Sequence, residues 1–378
     1  MSDDKIATKG ETGCFWTSDF DWPFGKPPPT RDYLFSQGRD ADELHLLGLN
    51  EAPFSPSERV VAALERAAHY LNRYPDNIHQ QLCAAVEARH HVGTDRQVWG
   101  SGAGELIYRA VALAAQQRLN VVSHSPTFWG YERVYALTGA DVRRTGLHTD
   151  GRLDIDAFTA AIDASTGIVT FATPGNPSGI SLTEDELVHI IRHTPADTLL
   201  MADEVYHEFC AHEGGPDVLE ILQRERSAPW IVLRSFSKAY RLAGARVGYG
   251  FASDHATARR LRERSLNFTI SSTGFAAALA AFEDRQELEK YLIHNAAMKR
   301  GLSDALRALG LQVMPSAANF VSARLPCPAG EIIPKLAESR IICAGWNHPA
   351  FPDNVRIGIG GADDNAAVVA TLEKLLPA

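Results

Sequence analysis

The sequence predicts an α/β protein with a large domain on a mainly parallel sheet, followed by a smaller α+β domain. Between about residues 75 and 270, short and continuously apolar runs alternate with segments of helical periodicity. Such alternation favours parallel strands that are covered by helices. From about residue 283 a long amphipathic segment precedes several short strand-like runs, which is typical of an α+β domain. The 378 residues are enough for both parts.

The first predicted elements precede the sheet. Residues 1–40 are rich in proline, glycine, aspartate and aromatic side chains, and we interpret them as an N-terminal arm that packs on another surface, such as a second subunit. Residues 41–74 are predicted to form the first part of the small domain and a linker helix. Ser55, Pro56 and Glu58 indicate the start of that helix, as a capping box with proline in the first turn.

Residues 75–282 are predicted to form the large domain. Four apolar runs indicate strands that are buried on both faces: RLNVVSHSP, TGIVTFATP, DTLLMADEVY and APWIVLRSFS. A capping box from Thr183 to Glu186 indicates the start of one intervening helix. Residues 283–378 are predicted to be the small C-terminal domain, with one long helix and then the strand-like runs LQVM, NFVSARL, RIICAG and NVRIGIG.

Composition argues against several classes of partner. The net charge of −9 disfavours binding to nucleic acid or to an acidic membrane, because both need a basic face. No apolar run approaches 18 residues and the first residues do not resemble a signal peptide, so we expect no membrane span and a cytoplasmic location. The five scattered cysteines never occur in CxxC spacing, which predicts neither a disulfide framework nor a metal site, and HEFCAH is interpreted as a loop.

Three polar side chains come directly after predicted strands. Asn176, Asp203 and Lys238 each follow one of the apolar runs. Because ligands in open α/β sheets bind beyond the carboxyl ends of the strands, we expect these side chains to meet in one crevice. An amine and a carboxylate suit pyridoxal phosphate, which needs a lysine for a Schiff base and an acid that keeps its ring nitrogen protonated. Asn176 and Tyr206 are suited to hydrogen-bond the 3-oxygen of its ring.

The phosphate of this cofactor also has candidate ligands. A phosphate requires hydroxyl groups, a guanidinium group and backbone amides at a helix start. Ser235, Ser237 and Arg246 surround Lys238 in SFSKAYRLAGARVGYG, and the glycine-rich GSGAGE, residues 100–105, precedes a predicted helix. Cofactor binding therefore explains this crowding better than a solvated basic loop does.

The linked motifs resemble those of a known enzyme family. FATPGNPSG, ADEVYHEF, SFSKAYRLAGARVGYG and NVRIGIG, with LNEAPF and RYPD upstream, resemble fold-type-I pyridoxal-phosphate aminotransferases of class I/II, in the histidinol-phosphate aminotransferase-like branch. The resemblance extends from about residue 45 to 375. It implies a three-layer α/β/α large domain, a homodimer, and transfer of an amino group from an amino acid or related amine to a 2-oxo acid.

The resemblance also implies a role for each site residue. Lys238 would be the Schiff-base lysine and proton shuttle, and Asp203 would pair with the ring nitrogen. Arg356 would bind the substrate carboxylate, with Asn50 and Asn176 also contacting substrate. The other residues implied at the cofactor are the phosphate loop Gly102, Ala103 and Gly104, the stacking ring Phe128, the 3-oxygen partners Asn176 and Tyr206, the phosphate ligands Ser235, Ser237 and Arg246, and Tyr74, which would reach the phosphate of the neighbouring subunit.

Three features depart from the family pattern. Ala103 and Gly104 stand where the family usually has a serine and an acid, so phosphate binding must depend more on backbone amides. The run ICAGW, residues 342–346, lacks the arginine that is often found there in histidinol-phosphate enzymes. The aromatic arm before residue 40 is longer than the usual start.

The missing arginine bears on the amino donor. A phosphorylated donor needs a cation besides Arg356. We expect Trp346 to narrow the pocket instead and Arg340 to point to solvent. The sequence therefore predicts that histidinol phosphate is a poor donor and that an α-amino acid is bound through Arg356. An arginine of the arm, Arg31 or Arg39, is the alternative source of a second cation.

Two other classes of function stay open at this point. A decarboxylase, an eliminating lyase or a cyclase on the same scaffold begins from the same chemistry, so the motifs do not separate it from an aminotransferase. A non-catalytic regulatory or binding protein is the other class, and the presence of both Lys238 and Asp203 argues against it.

Overall fold

The computed structural model describes residues 43–75 and 77–376 together with Gly38. The predicted arm, including Arg31 and Arg39, lies outside these residues except for Gly38. The strands of the described residues are β1 (His45–Leu46), β2 (Gln97–Gly100), β3 (Asn120–His124), β4 (Val142–Thr145), β5 (Thr166–Ala172), β6 (Leu199–Asp203), β7 (Trp230–Ser235), β8 (Gly248–Ala252), β9 (Gln312–Val313), β10 (Phe320–Arg324), β11 (Ile341–Ile342), β12 (Ala344–Gly345) and β13 (Asn354–Gly358).

The helices connect and cover these strands, and the interpretation of HEFCAH as a loop is wrong, because these residues form a short helix. They are α1 (Glu58–Ala68), α2 (Asn77–His90), α3 (Ala103–Gln116), α4 (Trp129–Thr138), α5 (Ile155–Ala160), α6 (Glu184–His193), α7 (His207–His212), α8 (Val218–Glu225), α9 (His255–Arg262), α10 (Ser272–Glu283), α11 (Arg285–Ala308), α12 (Ala329–Glu338) and α13 (Ala362–Leu375). No helix of the described residues is both long enough and apolar enough to cross a membrane.

The central sheet has the strand order β2-β8-β7-β6-β5-β3-β4. The four strands predicted from continuous apolar runs, β3, β5, β6 and β7, lie side by side and pair in parallel. Within this described sheet, β8 pairs antiparallel with both of its neighbours, β2 and β7. Alternate residues of β7 enter different hydrophobic clusters, Val232 on one face and Ile231 and Leu233 on the other. Helices thus cover both faces of the sheet, which confirms the predicted α/β fold.

Two predicted helix starts have different outcomes. The capping box at Thr183 is confirmed, because its hydroxyl accepts a hydrogen bond from the backbone N–H of Glu186 and the Glu186 carboxylate accepts one from Thr183 N–H. The predicted box at Ser55 is wrong, since α1 begins at Glu58 and its N-cap residue is Ser57. The Ser57 hydroxyl donates to the carboxylate of Asp284, 2.8 Å away, so a tertiary partner replaces the local one.

A second, antiparallel sheet has the order β12-β13-β10-β9, and α11 precedes it as the sequence predicted. Strand β1 pairs in parallel with β11 beside this sheet, and Leu47 belongs to its hydrophobic cluster. Helix α1, by contrast, packs against α10, with Val60 in the core of the large sheet. Residues 48–57 therefore cross between the two cores, and this crossing brings Gly48, Leu49 and Asn50 to the ends of the central strands. The predicted domain boundaries stay a prediction.

Candidate active site

The carboxyl ends of β5, β6 and β7 lie next to one another, as the parallel sheet requires. Ala172 of β5 pairs with Asp203, and Asp203 pairs with Leu233 of β7. Asn176 follows β5, Asp203 is the last residue of β6, and Lys238 follows Ser235, the last residue of β7. The sheet thus brings the predicted amide, carboxylate and amine to one edge.

The amine of Lys238 is held by backbone carbonyls of the crossing segment. Its Nζ donates to Leu49 O at 2.8 Å and to Asn50 O at 3.2 Å. Burial lowers the pKa of Lys238 to about 8; the negative charge of Glu51 opposes this change, whereas the positive charges of Arg356 and Arg246 reinforce it. Near neutral pH a useful fraction of the amine is therefore unprotonated and nucleophilic.

The carboxylate of Asp203 is buried, and each of its oxygens accepts a hydrogen bond. The N–H of Val205 donates to Oδ1 at 3.2 Å, and the hydroxyl of Tyr131 donates to Oδ2 at 3.2 Å. Burial raises the pKa of Asp203 to about 6, although both hydrogen bonds act against this rise. The group therefore carries a negative charge at neutral pH while remaining close to its titration range.

Asn50 links the crossing segment to Tyr206. Its Nδ2 donates to the Tyr206 hydroxyl at 3.0 Å, and its carbonyl accepts a hydrogen bond from Asn319 at 3.0 Å. The backbone of Asn50 has φ of 54°, a left-handed conformation that asparagine tolerates better than most residues. Its buried Oδ1 has no hydrogen-bond partner among the described residues. Asn50 thus positions the Tyr206 phenol and keeps one acceptor free.

Arg356 joins the second sheet to this edge of the first. It lies on β13, is buried, and donates from Nη1 to Asn176 Oδ1 and from Nη2 to Gly48 O. Its Nε is buried without a hydrogen-bond partner among the described residues. In the antiparallel register Ser322 and Ala344 are the residues opposite Arg356, one on each side, so the three side chains share one face.

The predicted phosphate ligands also meet. Gly102 is the N-cap of α3 with φ of 76°, and a β-carbon there would overlap Nη2 of Arg246. Arg246 donates to Ser237 Oγ at 3.4 Å, and Ser237 N–H donates to Ser235 Oγ at 3.1 Å. Ala103 is the first residue of the 14-residue α3, so the free N–H groups of that helix point toward the same place. Gly104, in contrast, has open space where a side chain would be.

Two predicted aromatic site residues, Phe128 and Tyr74, lie apart from the hydrogen-bonded groups of the site. Phe128 is the N-cap residue of α4 and is half-buried, with its ring centroid 4.9 Å from that of Trp129. Tyr74 is 76% exposed, and its ring stacks on Phe268 at 4.3 Å. Neither residue has a hydrogen bond to another predicted site residue within the described chain.

The site contains residues that the sequence interpretation did not assign. Tyr131 contacts Asp203, and it lies in the first turn of α4, three residues after the N-cap residue Phe128. Glu51 acts on Lys238 from the motif LNEAPF. Ser322, opposite Arg356, accepts a hydrogen bond from the Trp346 indole at 3.1 Å, so Trp346 is fixed in a buried apolar cluster near Arg356. These contacts join distant parts of the chain, so the sequence alone carried no signal for them.

Comparison with known proteins identifies the family. The family model described as aminotransferase class I and II matches residues 42–372. The chain belongs to this family. Among curated relatives, the histidinol-phosphate aminotransferase of Bacillus subtilis is 32% identical over 335 residues, which cover 89% of this chain and 92% of the relative. That of Nitratidesulfovibrio vulgaris is 33% identical over 332 residues, which cover 88% of each.

Solved structures agree with this assignment. The histidinol-phosphate aminotransferase from Sinorhizobium meliloti, in complex with pyridoxal 5'-phosphate, superposes with a TM-score of 0.82 at 25% identity, covering 94% of this chain and 95% of that one. The aspartate aminotransferase of Thermus thermophilus shares the fold, with a TM-score of 0.77 at 19% identity. The chain is thus a fold-type-I, pyridoxal-phosphate-dependent aminotransferase acting on amino and 2-oxo acid substrates, and the decarboxylase, lyase and cyclase alternatives are not favoured.

The side chains of this aminotransferase fit its cofactor. A buried carboxylate that is ionised at neutral pH suits the pyridine nitrogen, and a buried lysine with lowered pKa suits the aldehyde. The approach of Arg246 to Gly102 at the start of α3 forms a cradle suited to a phosphate. Two buried polar atoms, Nε of Arg356 and Oδ1 of Asn50, have no partner within the described residues and remain available to a ligand.

Proposed function

We propose that the residues gathered at the strand ends hold pyridoxal phosphate in the manner the sequence predicted. Asp203 would pair with the ring nitrogen, Asn176 and Tyr206 would contact the 3-oxygen, and Phe128 would cover one ring face. The phosphate ligands in this proposal are Gly102, Ala103 and Gly104 through their backbone, the side chains of Ser235, Ser237 and Arg246, and Tyr74 of a neighbouring subunit. The support is the shared location of these groups and the N-terminus of α3 among them.

Different residues of the chain have different roles in the reaction. When bound, pyridoxal phosphate supplies a ring that withdraws electrons from the α-carbon of the substrate. Lys238 first provides the nucleophilic amine. It would then take the proton from that carbon as a general base and, as a general acid, deliver it to the aldehyde-derived carbon of the cofactor, for which a pKa of about 8 is suitable. Asp203 maintains the positive charge on the ring nitrogen, since its carboxylate is ionised above about pH 6. Asn50 and Tyr206 keep the edge of the site in a fixed arrangement through their 3.0 Å hydrogen bond.

The amino donor in this proposal is an α-amino acid whose carboxylate binds Arg356. One observation carries it: Arg356 is buried beside Asn176, whereas the position opposite it on β12 is Ala344, which brings no second charge. Arg340, from the same run of sequence, is exposed and pairs with Glu43, as expected. Trp346 adds an apolar wall instead. A single guanidinium group matches a carboxylate, while a phosphate monoester with about two charges calls for more.

A matched set of donors tests this choice. L-histidine, histidinol and histidinol phosphate share an imidazole and an amine, but only the first has a carboxylate and only the last a phosphate. Each is mixed rapidly with the cofactor-loaded enzyme beside other L-amino acids, and the loss of cofactor absorbance is followed. We expect amino acids to react and histidinol phosphate to react no faster than histidinol. A faster reaction with histidinol phosphate than with every amino acid would contradict the proposal.

A homodimer is part of the same proposal. Tyr74 and Phe268 form an exposed stack, and Tyr70, Leu71 and Leu266 are 66%, 63% and 79% exposed. Exposed apolar groups of this size favour burial against another surface, and a second copy would bring Tyr74 to the neighbouring phosphate site. Sedimentation of the protein across a concentration series tests this, because a monomer at all concentrations would contradict it. A cytoplasmic location stays a prediction from the sequence.

A further inference from the structure

We propose that Tyr131 is a positioning residue for Asp203: its hydroxyl aims the carboxylate and keeps it ionised for the ring nitrogen of the cofactor. This inference rests on the proposed role of Asp203. Tyr131 would act through Asp203 alone, without contact with the substrate. A residue at the start of α4 thus contributes to the electronic control of the reaction.

The geometry supports a directed interaction. Tyr131 is 1% exposed and lies in the first turn of α4, so its ring has little freedom. Its hydroxyl donates to Asp203 Oδ2 at 3.2 Å and accepts a hydrogen bond from the Thr170 hydroxyl at 3.4 Å. Since Thr170 lies on β5, the chain of hydrogen bonds runs from one central strand to the next through the phenol. Val205 N–H holds the other oxygen, so the plane of the carboxylate is fixed at both ends.

Among the described residues, the Tyr131 hydroxyl is the one hydrogen-bond donor to Asp203 that a substitution can remove. Glu204 is the adjacent carboxylate, but it is neutralised by buried Arg234 at 3.0 Å and lies near His207 at 3.3 Å. Tyr206 is buried and uncharged at neutral pH, because burial raises its pKa. The donor from Val205 belongs to the backbone. Changing the Tyr131 hydroxyl therefore changes the stabilisation of the Asp203 charge with little other electrostatic effect.

Removing the hydroxyl by Tyr131→Phe should raise the pKa of Asp203. A hydrogen bond to a charged group corresponds to an increase of about 1 to 2 in pKa. A carboxyl that titrates near 6 would then titrate near 7 to 8. Because the protonated acid has no negative charge to stabilise the pyridinium, cofactor affinity falls as pH falls through this pKa. At pH 6.5 the variant should bind pyridoxal phosphate about 3- to 25-fold more weakly than wild type, with near equality at pH 9.

The experiment measures the dissociation constant of pyridoxal phosphate from the full-length protein between pH 5.5 and 9. Titrations of other groups cancel in the ratio of variant to wild type. Tyr135→Phe is the matched control, because Tyr135 lies one turn further along α4, is also buried, and its hydroxyl makes no hydrogen bond to Asp203. Its ratio should stay constant with pH. Thermal unfolding of each variant reports whether the fold is retained.

A second variant tests the hydrogen bond without removing it. Incorporation of 3-fluorotyrosine at position 131 keeps the ring and makes the phenol more acidic, so it donates a stronger hydrogen bond. The pH at which affinity falls should then shift downward, opposite to the effect of Tyr131→Phe. A purely structural role of the ring would not produce shifts of opposite sign. This variant also decides the matter if Tyr131→Phe does not fold.

The outcomes separate this inference from the proposed function. A ratio for Tyr131→Phe that is independent of pH, or equal to that of Tyr135→Phe, would overturn the role of Tyr131. The role of Tyr131 would also be overturned if 3-fluorotyrosine and phenylalanine at position 131 shifted the pH dependence of affinity in the same direction. If Asp203→Asn binds the cofactor as tightly as wild type at every pH, the role proposed for Asp203 itself fails first.

Discussion

Arg356 provides the sharpest test of substrate binding, through its replacement by lysine and by glutamine. Arg356→Lys keeps the charge but loses the planar fork that can bind both oxygens of a carboxylate. Arg356→Gln loses the charge as well. In both variants Asn176 Oδ1 and Gly48 O lose guanidinium donors, so the thermal stability of each variant has to be measured alongside its activity.

The magnitude follows from the number of charge-assisted hydrogen bonds. Each is equivalent to about 1.5–3 kcal/mol, or about 10- to 150-fold in kcat/KM. Arg356→Lys should lose one such bond to an α-amino acid, and Arg356→Gln should lose both. The buried position of Arg356 excludes competing water, which places the expected losses toward the upper end of this range.

The assay compares each amino acid with the corresponding amine, which lacks the carboxylate. Single-turnover rates are measured by cofactor absorbance for both substrates with wild type and variants. If Arg356 binds the carboxylate, the variants lose rate with the amino acid and little further rate with the amine, since wild type has no carboxylate to bind there. Equal losses with both substrates would refute the reasoning and assign Arg356 a purely structural role.

Three further predictions concern the cofactor and the donor. Gly102→Ala should weaken binding of pyridoxal phosphate at least about tenfold, because the new β-carbon overlaps Arg246 and the positive φ is strained. Gly104→Ala is the control and should bind the cofactor as wild type does, because open space surrounds Gly104. Equal dissociation constants for the two variants would contradict the phosphate cradle. Ala344→Arg should raise the rate with histidinol phosphate about 10- to 150-fold, while Ala344→Met should not, and single-turnover rates with that donor decide it. Asp203→Asn should keep the unfolding temperature but weaken cofactor affinity about 10- to 150-fold at pH 8, as measured by equilibrium dialysis, and unchanged affinity would show that the charge has no role.

The central sheet was predictable because its information is local. Continuous apolar runs identify β3, β5, β6 and β7, and the rule that ligands bind beyond parallel strand ends is enough to place Asn176, Asp203 and Lys238 at one edge. The capping box at Thr183 has the same local character. The capping box predicted at Ser55 was wrong because Ser57 is the residue at the start of the helix. The Ser57 hydroxyl donates to Asp284, which lies 227 residues away in the sequence.

The remainder of the site depends on contacts between distant segments. Arg356 and Asn50 were assigned through resemblance alone, and their geometry arises because residues 48–50 cross from one core to the other. The register that sets Ala344 opposite Arg356 could not be derived from the run ICAGW by itself. Tyr131 was missed because an aromatic residue in an amphipathic helix is usually part of the core, and only the position of Asp203 shows its second role.

The identity of the reactive lysine is the most direct test of the proposed chemistry. Treatment of the cofactor-loaded protein with borohydride fixes the cofactor to the lysine that binds it, and peptide mass spectrometry then locates the label. The label should lie on Lys238, whose amine has a lowered pKa and is held beside Leu49 and Asn50. Lys299 is the matched alternative, because it is also buried but is paired with Glu213 at 2.8 Å. A label on Lys299, or on any lysine other than Lys238, would contradict the proposed site.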